Sequence, residues 1–215
     1  MSAPIVRQLE LGPMENFIYI IGNPDTREGV IVDPAWDVSA ILKSVGELKL
    51  KIVGALLTHT HADHCNGVAD LVEETDCKVY VHEQEVGRLP DLKENLVRTQ
   101  HGHRLDLGTL SIDFIHTPGH TPGSQCFHIQ NTLVSGDTLF IDHCGRCDFP
   151  ESDPEKMYES LHKTLSGFTD ETTLLPGHNY ADRAKITQTT LGDERIHNRY
   201  LLCQNLQDFL KIRMG

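Results

Sequence analysis

Residues 58–64 read Thr-His-Thr-His-Ala-Asp-His, directly after the apolar run Lys-Ile-Val-Gly-Ala-Leu-Leu at 51–57. The run predicts a buried strand that ends where the histidines begin. Three histidines and an aspartate within six positions serve neither strand nor helix propensity, and imidazole is poor core material. In an extended segment, residues two apart point to the same side. His59 and His61 therefore aim together. Asp63 and His64 lead into a helix predicted over 66–75 (NGVADLVEET) and aim elsewhere. The stretch offers two pairs of candidate ligands for two neighbouring positions.

Three later residues extend the set. His120 lies in TPGHTPGS (117–124), Asp137 in VSGDTLF (134–140) and His178 in LPGHNY (175–180). Each follows a predicted strand, LSIDFIH (110–116), TLVSG (132–136) and TTLLPG (172–177) respectively. The flanking glycines and prolines permit tight, fixed turns. The candidate metal ligands are thus His59, His61, Asp63, His64, His120, Asp137 and His178. Neutral imidazole and carboxylate suit zinc first, with iron or manganese as alternatives. Three imidazoles with one open position form a catalytic pattern. An aspartate between two cations can bridge them, and two cations about 3.5–4 Å apart can share a hydroxide. The histidines at 82, 101, 103, 116, 128, 143, 162 and 197 read as ordinary surface or satisfied core residues, since none has the following Asp-His of the first cluster.

The chain of 215 residues carries a formal net charge of −12. It is read as a single domain over residues 1–215. The acidic balance argues against a nucleic-acid footprint and against an anionic membrane surface. No run approaches the roughly 18 apolar residues of a spanning helix. The first residues lack a basic stretch followed by an apolar core, so a cytoplasmic location is expected. Six cysteines show no small-scaffold spacing; Cys65 reads as packing and Cys144-x-x-Cys147 as a buried spectator pair. Elsewhere the sequence predicts a hairpin from 17–22 and 29–34, a helix over 38–48 and a strand over 78–82. A helix or loop broken at Pro90 follows over 83–97, then a strand at 125–130, a helix over 153–165 and a terminal helix over 206–214. Strand groups interspersed with helices indicate a layered α/β architecture.

The order H-x-H-x-D-H, PGHT, SGDTLF, PGHNY, running from about Phe17 to Tyr180, resembles the metallo-β-lactamase superfamily. The resemblance implies a four-layer αββα sandwich with the metal site at one edge. It implies His59, His61 and His120 around one cation, Asp63, His64 and His178 around the other, and Asp137 bridging. Asp33 in IVDP would brace the histidine loop. DTLFIDHCGRCDFP (137–150) resembles the glyoxalase II and persulfide dioxygenase branch. There Arg146 and Tyr180 match glutathione-binding positions; the alternative for Arg146 is a salt bridge to Asp148 or Glu151. Glyoxalase II has a longer helical C-terminal domain. Here 35 residues (215 − 180) follow Tyr180, read as one helix with Lys211 and Arg213 near its end. The thiol carrier is therefore open among glutathione, coenzyme A and a carrier protein.

The leading expectation is a glyoxalase II-like hydrolase of acyl thioesters with two divalent cations, a bridging hydroxide oriented by Asp63, and Asp137 between the cations. The alternative is a glutathione persulfide dioxygenase with a single Fe(II) on His59, His61 or His120, and Asp137. The tail TLGDERIHNRYL (190–201) resembles that second group. A phosphodiester nuclease and a non-catalytic binding module stand behind both. The partner is a small thioester or glutathione-derived molecule, and a homodimer is compatible with the sequence.

Overall fold

A computed structural model describes residues 2–180 and 186–215 of the chain. β2 (Asn16–Gly22) is buried along its whole length. Its alternate residues serve two different cores, because successive side chains leave a strand on opposite faces. Phe17, Tyr19 and Ile21 face a second sheet, while Ile18 and Ile20 face helices. β3 (Glu28–Val32) does the same, with Val30 and Val32 toward the second sheet and Ile31 toward the helices. A sheet covered on both faces needs apolar residues on both, which explains the unbroken runs in the sequence.

The first sheet has the order β1-β2-β3-β4-β5-β6, with β1 (Ile5–Leu11), β4 (Lys51–Leu56), β5 (Lys78–His82) and β6 (Leu96–Thr99). The second has the order β12-β11-β10-β9-β8-β7, with β7 (Arg104–Leu107), β8 (Leu110–His116), β9 (Gln125–Ile129), β10 (Thr132–Gly136), β11 (Thr173–Pro176) and β12 (Thr189–Thr190). On the outside of the first sheet lie α1 (Val38–Leu48) and α3 (Val68–Thr75), which bury Ile41, Val45, Val68 and Leu71; the single turn α2 (Ala62–Cys65) comes between them in the chain, within the histidine stretch. Asp37 caps α1, its carboxylate accepting from Ala40 N at 2.9 Å. On the outside of the second sheet lie α4 (Pro154–Glu159), α5 (Leu191–His197) and α6 (Leu206–Met214), with Met157, Leu161, Leu191 and Phe209 in their core. Three cores therefore separate four layers, the αββα sandwich expected. No helix among the described residues is long and apolar enough to cross a membrane.

Several elements depart from the sequence expectation. β1, β6, β7 and β12 are edge or near-edge strands whose half-exposed residues blur the alternation. Residues 83–97 form two single 3-10 turns that lead into β6, not a helix. The helix expected over 153–165 begins as α4 but widens into a π-helical stretch at Ser160–Thr164. The described residues of the tail hold two helices where one was expected. α5 was illegible because it buries only Leu191 and Glu194 and so shows no apolar stripe; Thr190 caps it by accepting from Asp193 N at 3.1 Å.

Strand pairing brings the candidate ligands to one edge. β3 and β4 run parallel with Val32 opposite Leu56, so Asp33 and Thr58 leave the sheet together. β10 and β11 run parallel with Gly136 opposite Pro176, which sets Asp137 beside His178. The two sheets are joined at this edge by Gln125 N donating to Thr58 O at 2.9 Å and Phe17 N donating to Gly177 O at 2.8 Å. The core between the sheets holds that edge fixed. Phe127, fully buried there against Phe114, tests it. Phe127→Ala should cost about 3–5 kcal/mol in urea unfolding; a loss below about 1 kcal/mol would show that the inter-sheet core is not the structural support described.

Candidate metal centre

Asp33 follows β3 in a left-handed conformation, φ 50°, a placement a non-glycine residue keeps only when its surroundings over-determine it. Its Oδ1 accepts from Thr58 N at 2.7 Å. Its Oδ2 accepts from the Thr58 hydroxyl at 2.6 Å and from His64 Nδ1 at 2.9 Å. The Thr58 proton being spent on Asp33, its oxygen accepts from His59 Nδ1 at 3.0 Å. His120 Nδ1 donates to Arg146 O at 2.8 Å and His178 Nδ1 donates to Met14 O at 3.1 Å. A ring nitrogen held by an acceptor must carry the proton. In their neutral form His59, His64, His120 and His178 therefore all present an Nε2 lone pair on the side away from their anchors.

These lone pairs converge in two groups. His59 Nε2 lies 3.1 Å from His61 Nδ1, which lies 2.9 Å from His120 Nε2. His64 Nε2 lies 3.1 Å from His178 Nε2, and Asp63 Oδ2 lies 3.3 Å from each of them. Tetrahedral bonds of about 2.0–2.1 Å put neighbouring ligand atoms about 3.3 Å apart, so both trios have the spacing a cation requires. Asp137 stands between them. Its Oδ2 is 3.5 Å from His120 Nε2, and its Oδ1 is 3.3 Å from His64 Nε2. That Oδ1 is buried with no hydrogen-bond partner. An orphaned buried carboxylate oxygen is costly, and a cation on each side would satisfy it. Asp33, His59 and His64 also cluster, but Asp33 works behind the rings through Thr58 and His64 Nδ1.

Electrostatics agree with the geometry. Burial, then the neighbouring His64, His120 and His61 rings, push His59 well below the ordinary imidazole pKa. It stays neutral and able to ligate. Burial works against charge on Asp63 as well, but contacts with His178, His64 and Asn16 hold its carboxyl far below the usual range. At His64 burial opposes the proton, yet the carboxylates of Asp137, Asp33 and Asp63 raise its pKa strongly. The second trio demands a positive charge, which a proton or a cation can supply.

Two glycines in the motifs are required by space. A Cβ on Gly177 would fall 2.5 Å from Asp137 Oδ1, and one on Gly145 would fall 1.9 Å from Asp137 O. Other contributors gave no sequence signal. Glu85, 1 % exposed, accepts from Thr60 N, Thr60 Oγ1 and Gly123 N at 3.2, 2.5 and 2.8 Å. It ties the His59–His61 loop to the His120 loop. Phe149 sets its ring edge-on to His61 at 5.0 Å. Asn16 reaches the second trio from the start of β2.

The centre forms the floor of a cleft of about 710 Å³ whose walls include Met14, Phe140, Phe149, Tyr180 and Arg213. Arg146 sits at its exposed rim, paired with Asp148 at 2.9 and 2.8 Å and lying over Phe149. Tyr180 stacks on His178 with ring centroids 5.0 Å apart. Arg213 reaches the cleft from α6, whereas Lys211 is turned to Asp208 on the surface. Cys144 and Cys147 are buried in the core under α4–α6, although Cys144 also touches the cleft. Cys65 points to His61 O, and burial pushes its thiol up to about 12, which leaves it inert. A larger hollow of about 990 Å³ beside Trp36 and Glu73 has no converging ligand atoms.

Residues 11–178 match the family model described as "Metallo-beta-lactamase superfamily". A hydroxyacylglutathione hydrolase of Aeromonas salmonicida is 32% identical, covering 92% of this chain and 85% of its own. The human mitochondrial persulfide dioxygenase ETHE1 is 28% identical, covering 98% of this chain and 81% of its own. The crystal structure of ETHE1 from Myxococcus xanthus superposes with a TM-score of 0.88 at 31% identity, covering 98% of this chain and 90% of that one. Its sandwich, its family match and these relatives together place the chain in the metallo-β-lactamase superfamily, in the branch that holds glyoxalase II and ETHE1.

Proposed function

We propose that the chain is a metal-dependent hydrolase of acyl thioesters. His59, His61 and His120 would hold one divalent cation, and Asp63, His64 and His178 another, with Asp137 between. The observation that carries this reading is the Asp137 carboxylate, turned with one oxygen toward each complete trio and Oδ1 unpartnered. Zinc fits these donors, as do iron and manganese. Two cations bound there would activate water and polarise the thioester carbonyl.

The chain's own groups supply the rest. Asp63 lines the cleft as a carboxylate held ionised, placed to orient an attacking water by accepting a hydrogen bond from it. The departing thiolate has a pKa near 8.5 and needs no strong acid behind it. Met14, Phe140 and Phe149 give the cleft apolar walls that limit bulk water. Burial and the nearby carboxylates of Asp137 and Asp63 raise the Tyr180 pKa, so it remains a phenol able to donate. Arg146 and Arg213 set cationic groups along the cleft of a strongly acidic chain. They favour a carrier with carboxylates, as glutathione has. Six free thiols suit a reducing compartment.

Persulfide oxidation is the second reading, favoured by the near-full-length similarity to ETHE1. It would use one Fe(II) on histidines of the first trio and Asp137. Metal analysis of protein purified without added metal, followed by assays of S-lactoylglutathione hydrolysis and of oxygen uptake with glutathione persulfide, separates the two. The proposal expects two metals per chain and thioester turnover. One iron per chain with oxygen uptake and no thioester turnover would replace it with the second reading.

Asp33→Asn provides a further check on the metal assignment. An amide there must turn its NH₂ toward Thr58 or His64, both of which donate, so zinc affinity should fall about 10–100-fold. Unchanged affinity in chelator competition would contradict the bracing role.

A further inference from the structure

We infer that Glu85 is a positioning residue for the first cation position: its buried carboxylate fixes the gap between the two loops that carry His59, His61 and His120. The inference rests on the two-cation reading above.

Glu85 follows β5 and is 1 % exposed. Its Oε2 accepts from Thr60 N at 3.2 Å and from Thr60 Oγ1 at 2.5 Å, and its Oε1 accepts from Gly123 N at 2.8 Å. Thr60 stands between His59 and His61. Gly123 belongs to a closed turn after His120, in which Ser124 N donates to Thr121 O at 3.4 Å and Thr121 N donates to Ser124 Oγ at 3.1 Å. The approach is close enough to demand a glycine, since a Cβ there would fall 2.6 Å from Glu85 Cγ. The same turn is held from behind by His116, whose Nε2 donates to Pro122 O at 2.9 Å and whose ring stacks on His82 with centroids 4.0 Å apart. His82 O accepts in turn from Glu85 N at 2.9 Å.

His61 depends most on this tie. His59 and His120 have ring anchors in Thr58 and Arg146 O. Outside the trio, the His61 ring has no hydrogen-bond partner among the described residues. Its Nε2 lies 3.8 Å from Glu151 Oε1, beyond hydrogen-bond reach. The backbone on either side therefore places this ring, and Thr60 is the part of that backbone that Glu85 holds. The second trio is braced elsewhere: His64 by Asp33, His178 by Met14 O and Asp63 by Asn16, each through a bond that does not involve Glu85.

An amide cannot replace this carboxylate. Glutamine has one acceptor oxygen and an NH₂ that only donates. Turned either way, it sets that NH₂ against a backbone N–H, of Thr60 or of Gly123. One loop is released, and three ligand atoms that must stand about 3.3 Å apart around a cation lose their common frame.

Zinc titration with chelator competition on the full-length protein tests this, in two backgrounds that separate the positions. His178→Ala leaves the first trio whole, and His120→Ala leaves the second trio whole. Adding Glu85→Gln should weaken zinc binding about 10–100-fold in the His178→Ala background, the scale on which groups behind metal ligands act, and less than about threefold in the His120→Ala background. Thr60→Ser keeps both donors and should bind zinc as its parent does. Thr60→Val removes one of the three donors and should weaken the first position to a smaller degree; should Glu85→Gln fail to fold, Thr60→Val decides alone. An unchanged first position, or equal losses in the two backgrounds, overturns the inference and leaves the two-cation reading standing. Zinc bound in the His178→Ala background alone overturns the two-cation reading, and the shift there still decides the role of Glu85. No zinc in the His178→Ala background overturns both.

Discussion

Proton placement behind the imidazoles governs this centre. Asp33, Thr58, Met14 O and Arg146 O each accept a ring N–H. Each anchor leaves the opposite nitrogen of its histidine, when the ring is neutral, with a bare lone pair. Lone pairs and carboxylate oxygens gathered within about 3 Å repel in a low-dielectric interior. They stay together here because the sandwich holds the strands from which they emerge. The free energy for that arrangement comes from the three apolar cores, and it is recovered when positive charge enters.

The sandwich achieves this with parallel pairing at the right places. β3 with β4 delivers Asp33 behind the histidine loop, and β10 with β11 delivers Asp137 beside His178. Each sheet contributes candidate ligands to both trios or to the group between them. His59, His61, Asp63 and His64 come from the first; His120, Asp137 and His178 come from the second. The centre therefore also ties the sheets at this edge, together with Glu85, which spans from the Thr60 loop to Gly123.

Much of this was legible in the sequence. That the candidate-ligand motifs converge could be read because chemistry restricts such residue types to a few turn positions, and the buried strands because both faces must be apolar. What escaped did so for physical reasons. β1, β6, β7 and β12 lie where one face is wet, so their patterns are diluted. α5 buries too little to show a period. Asn16, in the turn-like PMEN, and Glu85, before Pro90, act through contacts to residues far along the chain, and no local pattern encodes such contacts. Arg213 was noted as a cation near the chain end, but only the packing of α6 on Tyr200 and its neighbours turns it to the cleft. The pairing of Arg146 with Asp148 was one of two arrangements the spacing allowed.

If cations flank Asp137 on both sides, as we propose, anomalous diffraction at the zinc absorption edge from crystals of the zinc-loaded protein should show two peaks about 3.5–4 Å apart, one among His59, His61 and His120 and one among Asp63, His64 and His178. A single peak, or none within reach of Asp137, would contradict the proposal.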